Sequence, residues 1–95
     1  MGNKNTSNTK IKPGKENDTE KEKLRFLVLH NDDYHTFEYV IESLIKVCGH
    51  DTVQAEQCTY VVHFKGSCDI LKGDFKQLMP FYKAMAQREL TVTIE

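Results

Sequence analysis

Ninety-five residues suffice for one small domain on one hydrophobic core, which excludes the large cofactor-binding folds. Hydrophobic residues make up 39% of the chain and charged residues 28%, with a formal net charge of -1. That balance suits a soluble protein and offers no broad basic field for nucleic acid.

The average hides a division. Of the first 23 residues only Met1 and Ile11 are apolar, so 35 of the remaining 72 are. Residues 1–23 cannot bury enough surface to offset chain ordering and are expected to be a disordered extension. Six Lys against four Asp or Glu give this segment about +2, and seven basic against ten acidic residues give the domain over 24–95 about -3. Neither an export signal nor a long apolar run is expected, so no membrane partner is expected and the cytoplasm is the default location. A myristoylation-like start at Gly2 and glycosylation-like triplets at Asn5 and Asn17 are short patterns that occur by chance. Cys48, Cys58 and Cys68 lack a CxxC pair and read as reduced, buried thiols.

Leu24 to Leu29 is a short apolar run that reads as a strand covered on both faces. His30 to Thr36 is turn chemistry. Phe37, Val40, Ile41, Leu44, Ile45 and Cys48 recur at helical steps between a Thr36 N-cap and a Gly49 stop. Asp51 and Gln54 have capping-box spacing and open a second helix that ends at Gly66, although Tyr60 to Phe64 has strand propensity as well. Ser67 to Lys72 reads as a strand ending at Gly73. Phe75, Leu78, Met79, Tyr82, Met85 and Ala86 repeat at helical steps from a cap at Asp74, and Pro80 inside them predicts a kinked or split helix. Leu90 to Glu95 alternates as a strand. The order βααβαβ predicts an α+β domain in which a three-stranded antiparallel sheet packs against three helices.

Asn31-Asp32-Asp33 places one amide and two carboxylates just ahead of a helix start. One carboxylate can serve as a cap, and a second leaves negative charge able to receive a cation. An ammonium group donates three hydrogen bonds and accepts none, so clustered acceptor oxygens complement it. On the second helix Thr59, Val62, His63 and Gly66 share one face. Phe37 and Val40 facing Thr59 and Val62 would enclose an apolar slot whose mouth lies beside Asn31, Asp32 and His63, an arrangement suited to a hydrophobic amine.

Leu27-Val28-Leu29-His30-Asn31-Asp32-Asp33-Tyr34, then Glu38-Tyr39-Val40-Ile41 and Val61-Val62-His63-Phe64-Lys65-Gly66, resembles the ClpS family, the N-degron adaptors of the Clp protease. The resemblance implies an adaptor, not an enzyme, that binds proteins with a free N-terminal Leu, Phe, Tyr or Trp. It implies delivery to a Clp AAA+ unfoldase of the ClpA or ClpC type, with residues 10–23 as the delivery extension. It places Asn31, Asp32, Asp33 and His63 around the α-amine and His35, Phe37, Val40, Thr59, Val62 and Leu90 around the first side chain. No cofactor or metal is implied, and a monomer is expected. His35 and Phe37 stand where the family commonly has Thr and Met, and Thr59 where it often has a second Met. Phe37 is stiffer than Met and is expected to gate against β-branched first residues.

Two other classes are distinguishable. A metal-dependent enzyme would draw on His30, Asp32, Asp33, His35 and His63, but no ordered ligand spacing such as HExxH is present. A generic interaction domain would use the face from Phe75 to Met85 without recognising N-termini.

Overall fold

The computed structural model describes residues 23–95, so the expected extension, apart from Lys23, lies outside the described residues. Six elements follow in the expected order: β1 Arg25–His30, α1 Phe37–Cys48, α2 Thr52–Lys65, β2 Ser67–Gly73, α3 Phe75–Gln87 and β3 Val92–Ile94. β1 is the middle strand of a three-stranded sheet, with β2 and β3 both antiparallel to it. The α+β class and the layer arrangement agree with the sequence pattern.

Local chemistry sets the helix ends. Thr36 accepts from the Tyr39 N–H, and Gly49 closes α1 at φ 73, where a side chain would be strained. Asp51 accepts from the Gln54 N–H at the start of α2, and Gly66 ends it at φ 98. Asp74 and Gln77 form the reciprocal capping box at the start of α3. Tyr60 to Phe64, open to either reading in the sequence, is helical. Ala55, Cys58, Thr59 and Val62 are buried at three- and four-residue steps, and burial of that stripe outweighs the strand propensity of the aromatic and β-branched residues.

Pro80 does not split the third helix, which runs unbroken from Phe75 to Gln87. Pro80 removes one donor to the Lys76 carbonyl, and both residues are exposed, so water can replace the lost bond. β3 is shorter than the alternating run suggested. Glu89 takes a left-handed φ of 67, and the Leu90 N–H remains bonded to the Met85 carbonyl, which delays the strand until Val92.

Leu27 and Leu29 project from one face of β1 into a core shared with Leu44 of α1, Val62 of α2 and Leu78 and Met85 of α3. The reading of β1 as covered on both faces is only partly met: on the face opposite Leu27 and Leu29, Val28 is buried but Phe26 is 38% exposed. A register shift opposite Leu27 and Val28 pairs them with Leu71 and Asp69 and leaves Ile70 as the extra residue of a β-bulge. The far end of β1 is fixed on both sides: the His30 N–H donates to the Thr91 carbonyl and the Asn31 N–H to the Gly66 carbonyl, each at 2.9 Å. These bonds hold the turn before α1 against the C-terminal end of α2. Among the described residues, no helix is long and apolar enough to cross a membrane.

Candidate functional site: an apolar cavity with an acidic rim

The cavity lies where the end of β1 meets the start of α1 and the last turns of α2. Leu29, His30, Asn31, Asp32, His35, Phe37, Val40, Thr59, Val62, His63 and Leu90 line it, and it encloses about 370 Å³ including its open mouth. Nine of the ten residues singled out from the sequence are among these. The tenth, Asp33, is exposed and is not part of the lining. Leu29, read in the sequence as the end of the strand, and His30, read as the first residue of the turn, are additions to the lining; their adjacency to Asn31 was the available signal.

Asp32 is the most constrained polar group of the rim. Its Oδ1 accepts the Tyr34 and His35 backbone N–H groups, both at 2.9 Å, which folds the turn over the carboxylate. Its Oδ2 lies 3.0 Å from His35 Nδ1, and because a carboxylate only accepts, the ring nitrogen is the donor. Partial burial pushes the Asp32 carboxyl upward, but the hydrogen bonds from His35 and Tyr34 and the His35 charge together outweigh it and leave its pKa below the usual value.

His35 is itself braced. Its ring stacks on Tyr39 at 5.0 Å and 14°, and the Tyr39 hydroxyl donates to the Arg88 carbonyl at 2.9 Å. The Arg88 guanidinium lies over the same Tyr39 ring and donates through Nε to Ser43 Oγ at 2.8 Å. The fully buried Ser43 in turn donates to the Tyr39 carbonyl. The end of α3 thus steadies, through Tyr39 and His35, the carboxylate at the cavity mouth.

The apolar wall has two sides. Phe37 and Val40 come from the first turn of α1. Thr59 and Val62 come from α2, both buried, with the Thr59 hydroxyl turned to the Ala55 carbonyl at 2.8 Å, so that bond occupies its donor. The Phe37 ring meets His63 edge-on at 5.1 Å and Tyr60 at 5.3 Å, arrangements that favour a fixed ring orientation. Tyr60 stacks on Phe64 at 6.3 Å; both are exposed, Phe64 by 75%, and they extend the aromatic surface outward from the rim. Among the described residues no group of three His, Cys, Asp or Glu side chains is arranged to hold a metal ion.

The family of ATP-dependent Clp protease adaptor proteins, ClpS, matches residues 20–92, a span that includes every residue of the cavity. The chain belongs to the ClpS family. Within it, the chain is similar to an ATP-dependent Clp protease adapter protein ClpS of Clostridium acetobutylicum, at 47% identity over 47 residues, which is 50% of this chain and 46% of that protein. The chain therefore matches about half the length of that curated relative. A solved structure of Agrobacterium tumefaciens ClpS2, bound to L-phenylalaninamide, superposes with a TM-score of 0.72 at 24% identity, covering 78% of this chain and 96% of that one. That likeness establishes a shared fold and agrees with the βααβαβ order of this ClpS chain.

Proposed function

We propose that this ClpS-family chain is an adaptor that captures proteins by a free N-terminal amine together with a bulky apolar first residue, Leu, Phe, Tyr or Trp. It would pass them to a Clp AAA+ unfoldase. The observation that carries the reading is the convergence of Asn31, Asp32 and His63 on the mouth of a cavity walled by Phe37, Val40, Thr59, Val62 and Leu90. L-Phenylalaninamide, the ligand of the Agrobacterium tumefaciens protein, is an apolar residue with a free amine and a capped carboxyl, the chemistry of a protein N-terminus.

The carboxylate of Asp32 offers about four acceptor positions, and three are filled from Tyr34 and His35. One position on Oδ2 is left to receive an N–H of the substrate ammonium, with the Asn31 side-chain oxygen and a His63 ring nitrogen as second and third acceptors. Because His35 and two backbone amides already orient the carboxylate, little ordering remains to be done when the amine arrives. Asp33, one residue on, adds negative potential without lining the cavity. The first side chain enters between α1 and α2, where Val62 and Leu90 are each 5% exposed.

Burying a Leu- or Phe-sized side chain contributes roughly 2–3 kcal/mol and each charge-assisted hydrogen bond roughly 1.5–3 kcal/mol. Against the loss of rigid-body freedom, the sum suits a micromolar complex, near -8 kcal/mol. Neither group of contacts suffices alone, so recognition requires both the amine and the apolar residue. The proposal involves no bond chemistry.

A fluorescent peptide beginning with Phe, compared with the same peptide acetylated at its N-terminus, tests the reading by anisotropy. Micromolar binding of the free peptide and loss of binding on acetylation are expected. Equal affinity of the two would refute it.

A further inference from the structure

The thiols are a cluster of nucleophilic side chains that peptide capture does not use. Cys58 Sγ lies 2.6 Å from Cys68 Sγ, across the corner at which α2 gives way to β2, and both are free. Each is presented by a regular element: Cys58 from the buried face of α2 and Cys68 from the second position of β2, opposite Leu29 of β1. The corner between them is fixed by the left-handed Gly66, whose carbonyl receives the Asn31 N–H. Cys58 is buried, at 7% exposure, whereas Cys68 is partly exposed, so a soluble reagent reaches Cys68 first. Burial, and next the contact with Cys68, hold the Cys58 thiol far above the ordinary thiol range, and Cys48 acts in the same direction.

We propose that Cys58 and Cys68 form a reversible dithiol/disulfide pair that staples α2, the helix carrying Thr59, Val62 and His63 of the cavity, to β2. The oxidant is a low-molecular-weight disulfide of the glutathione disulfide class. The Cys68 thiolate attacks one sulfur of the oxidant, the oxidant's S–S bond breaks, and one small thiolate leaves and takes up the proton that Cys68 gave up. Cys58 then loses its proton and attacks the Cys68 sulfur of the mixed disulfide, releasing a second small thiolate that is protonated in turn. In sum, two protein thiols are oxidised by two electrons to one disulfide and one small disulfide is reduced to two thiols.

The cross-link closes a short loop that contains the α2 wall of the cavity and Gly66. Restricting that loop in the unfolded chain stabilises the folded domain, by about 10 °C in melting temperature for a domain of this size.

The test uses the full chain equilibrated in buffers of graded glutathione disulfide content, with remaining thiols alkylated, cross-linked peptides mapped by mass spectrometry, and melting followed in parallel. One intramolecular bond between Cys58 and Cys68, with Cys48 alkylated and a higher melting temperature that dithiothreitol reverses, is the expected result. Cys58→Ser and Cys68→Ser each abolish both changes and Cys48→Ser leaves both. Alkylation of all three thiols at every ratio, a bond involving Cys48, or cross-linking only between molecules would overturn the pairing. An intact Cys58–Cys68 bond without a rise in melting temperature would overturn the stapling role.

Discussion

Replacing Asp32 by Asn separates the architecture of the rim from its charge. The amide oxygen of Asn can still accept from the Tyr34 and His35 N–H groups that Asp32 Oδ1 receives at 2.9 Å, so the turn into α1 survives. The other terminal atom becomes an NH₂, which cannot accept from a substrate ammonium and points a donor at the place where the ligand brings its own. His35 Nδ1, now 3.0 Å from Oδ2, can switch tautomer and accept from the new amide, which keeps the ring on Tyr39. The loss is therefore one charge-assisted hydrogen bond and the net charge behind it, about 1.5–3 kcal/mol, or roughly ten- to hundredfold in dissociation constant. Asp32→Ala removes the turn contacts as well and should weaken binding further while lowering the melting temperature. The assay is anisotropy titration of a Phe-initiated peptide, with a thermal melt of each variant as the folding control. A folded Asp32→Asn protein with wild-type affinity would show that this carboxylate does not receive the amine.

The remaining predictions concern stability with pH and the shape of the pocket. The Asp32 carboxyl is held below its ordinary value, so the stability it contributes is fully present above the unfolded-state value near pH 4 and is lost as pH falls through the lowered folded value. Accordingly, the melting-temperature gap between wild type and Asp32→Asn should be widest above about pH 4 and should close in stronger acid; a gap that widens in acid contradicts the sign. Phe37, pinned edge-on between His63 and Tyr60, should make a β-branched Ile start bind about tenfold more weakly than a Leu start, a clash of order 1–3 kcal/mol. Phe37→Ala should narrow that difference, and equal binding of both peptides by wild type would dismiss the gate. Thr59→Val keeps the shape and removes a hydroxyl that only back-bonds to Ala55; Phe-peptide affinity should stay within about threefold or improve, and a large loss would mean that the hydroxyl touches the ligand.

Much of this arrangement was legible because its causes are local. Thr36, Asp51 and Asp74 cap helices within their own first turns, and Gly49 and Gly66 end them; each signal spans a few residues. The acceptors of Asn31 and Asp32 and the shared face of Thr59, Val62 and His63 are likewise written in short spacings. Pairings between distant segments are different in kind. Tyr39 reaches Arg88 across 49 positions, and nothing near either residue announces that the end of α3 steadies the rim. The approach of Cys58 to Cys68 depends on how α2 turns into β2, whereas their spacing resembles that between Cys48 and Cys58. The filling of three Asp32 acceptor positions could not be anticipated either, because it requires the folded turn. Pro80 misled in the opposite direction: its missing donor is a local fact, but exposure at that turn makes the loss tolerable without a break.

The most direct test is a crystal structure of the protein with a peptide that begins with Phe. The account predicts the terminal nitrogen within about 3 Å of Asp32 Oδ2 and the Asn31 side-chain oxygen, with the phenyl ring between Phe37, Val40 and Val62. A peptide seated elsewhere, for example against the exposed Phe75 and Phe81 of α3, or bound at the cavity with its nitrogen in solvent, would contradict it.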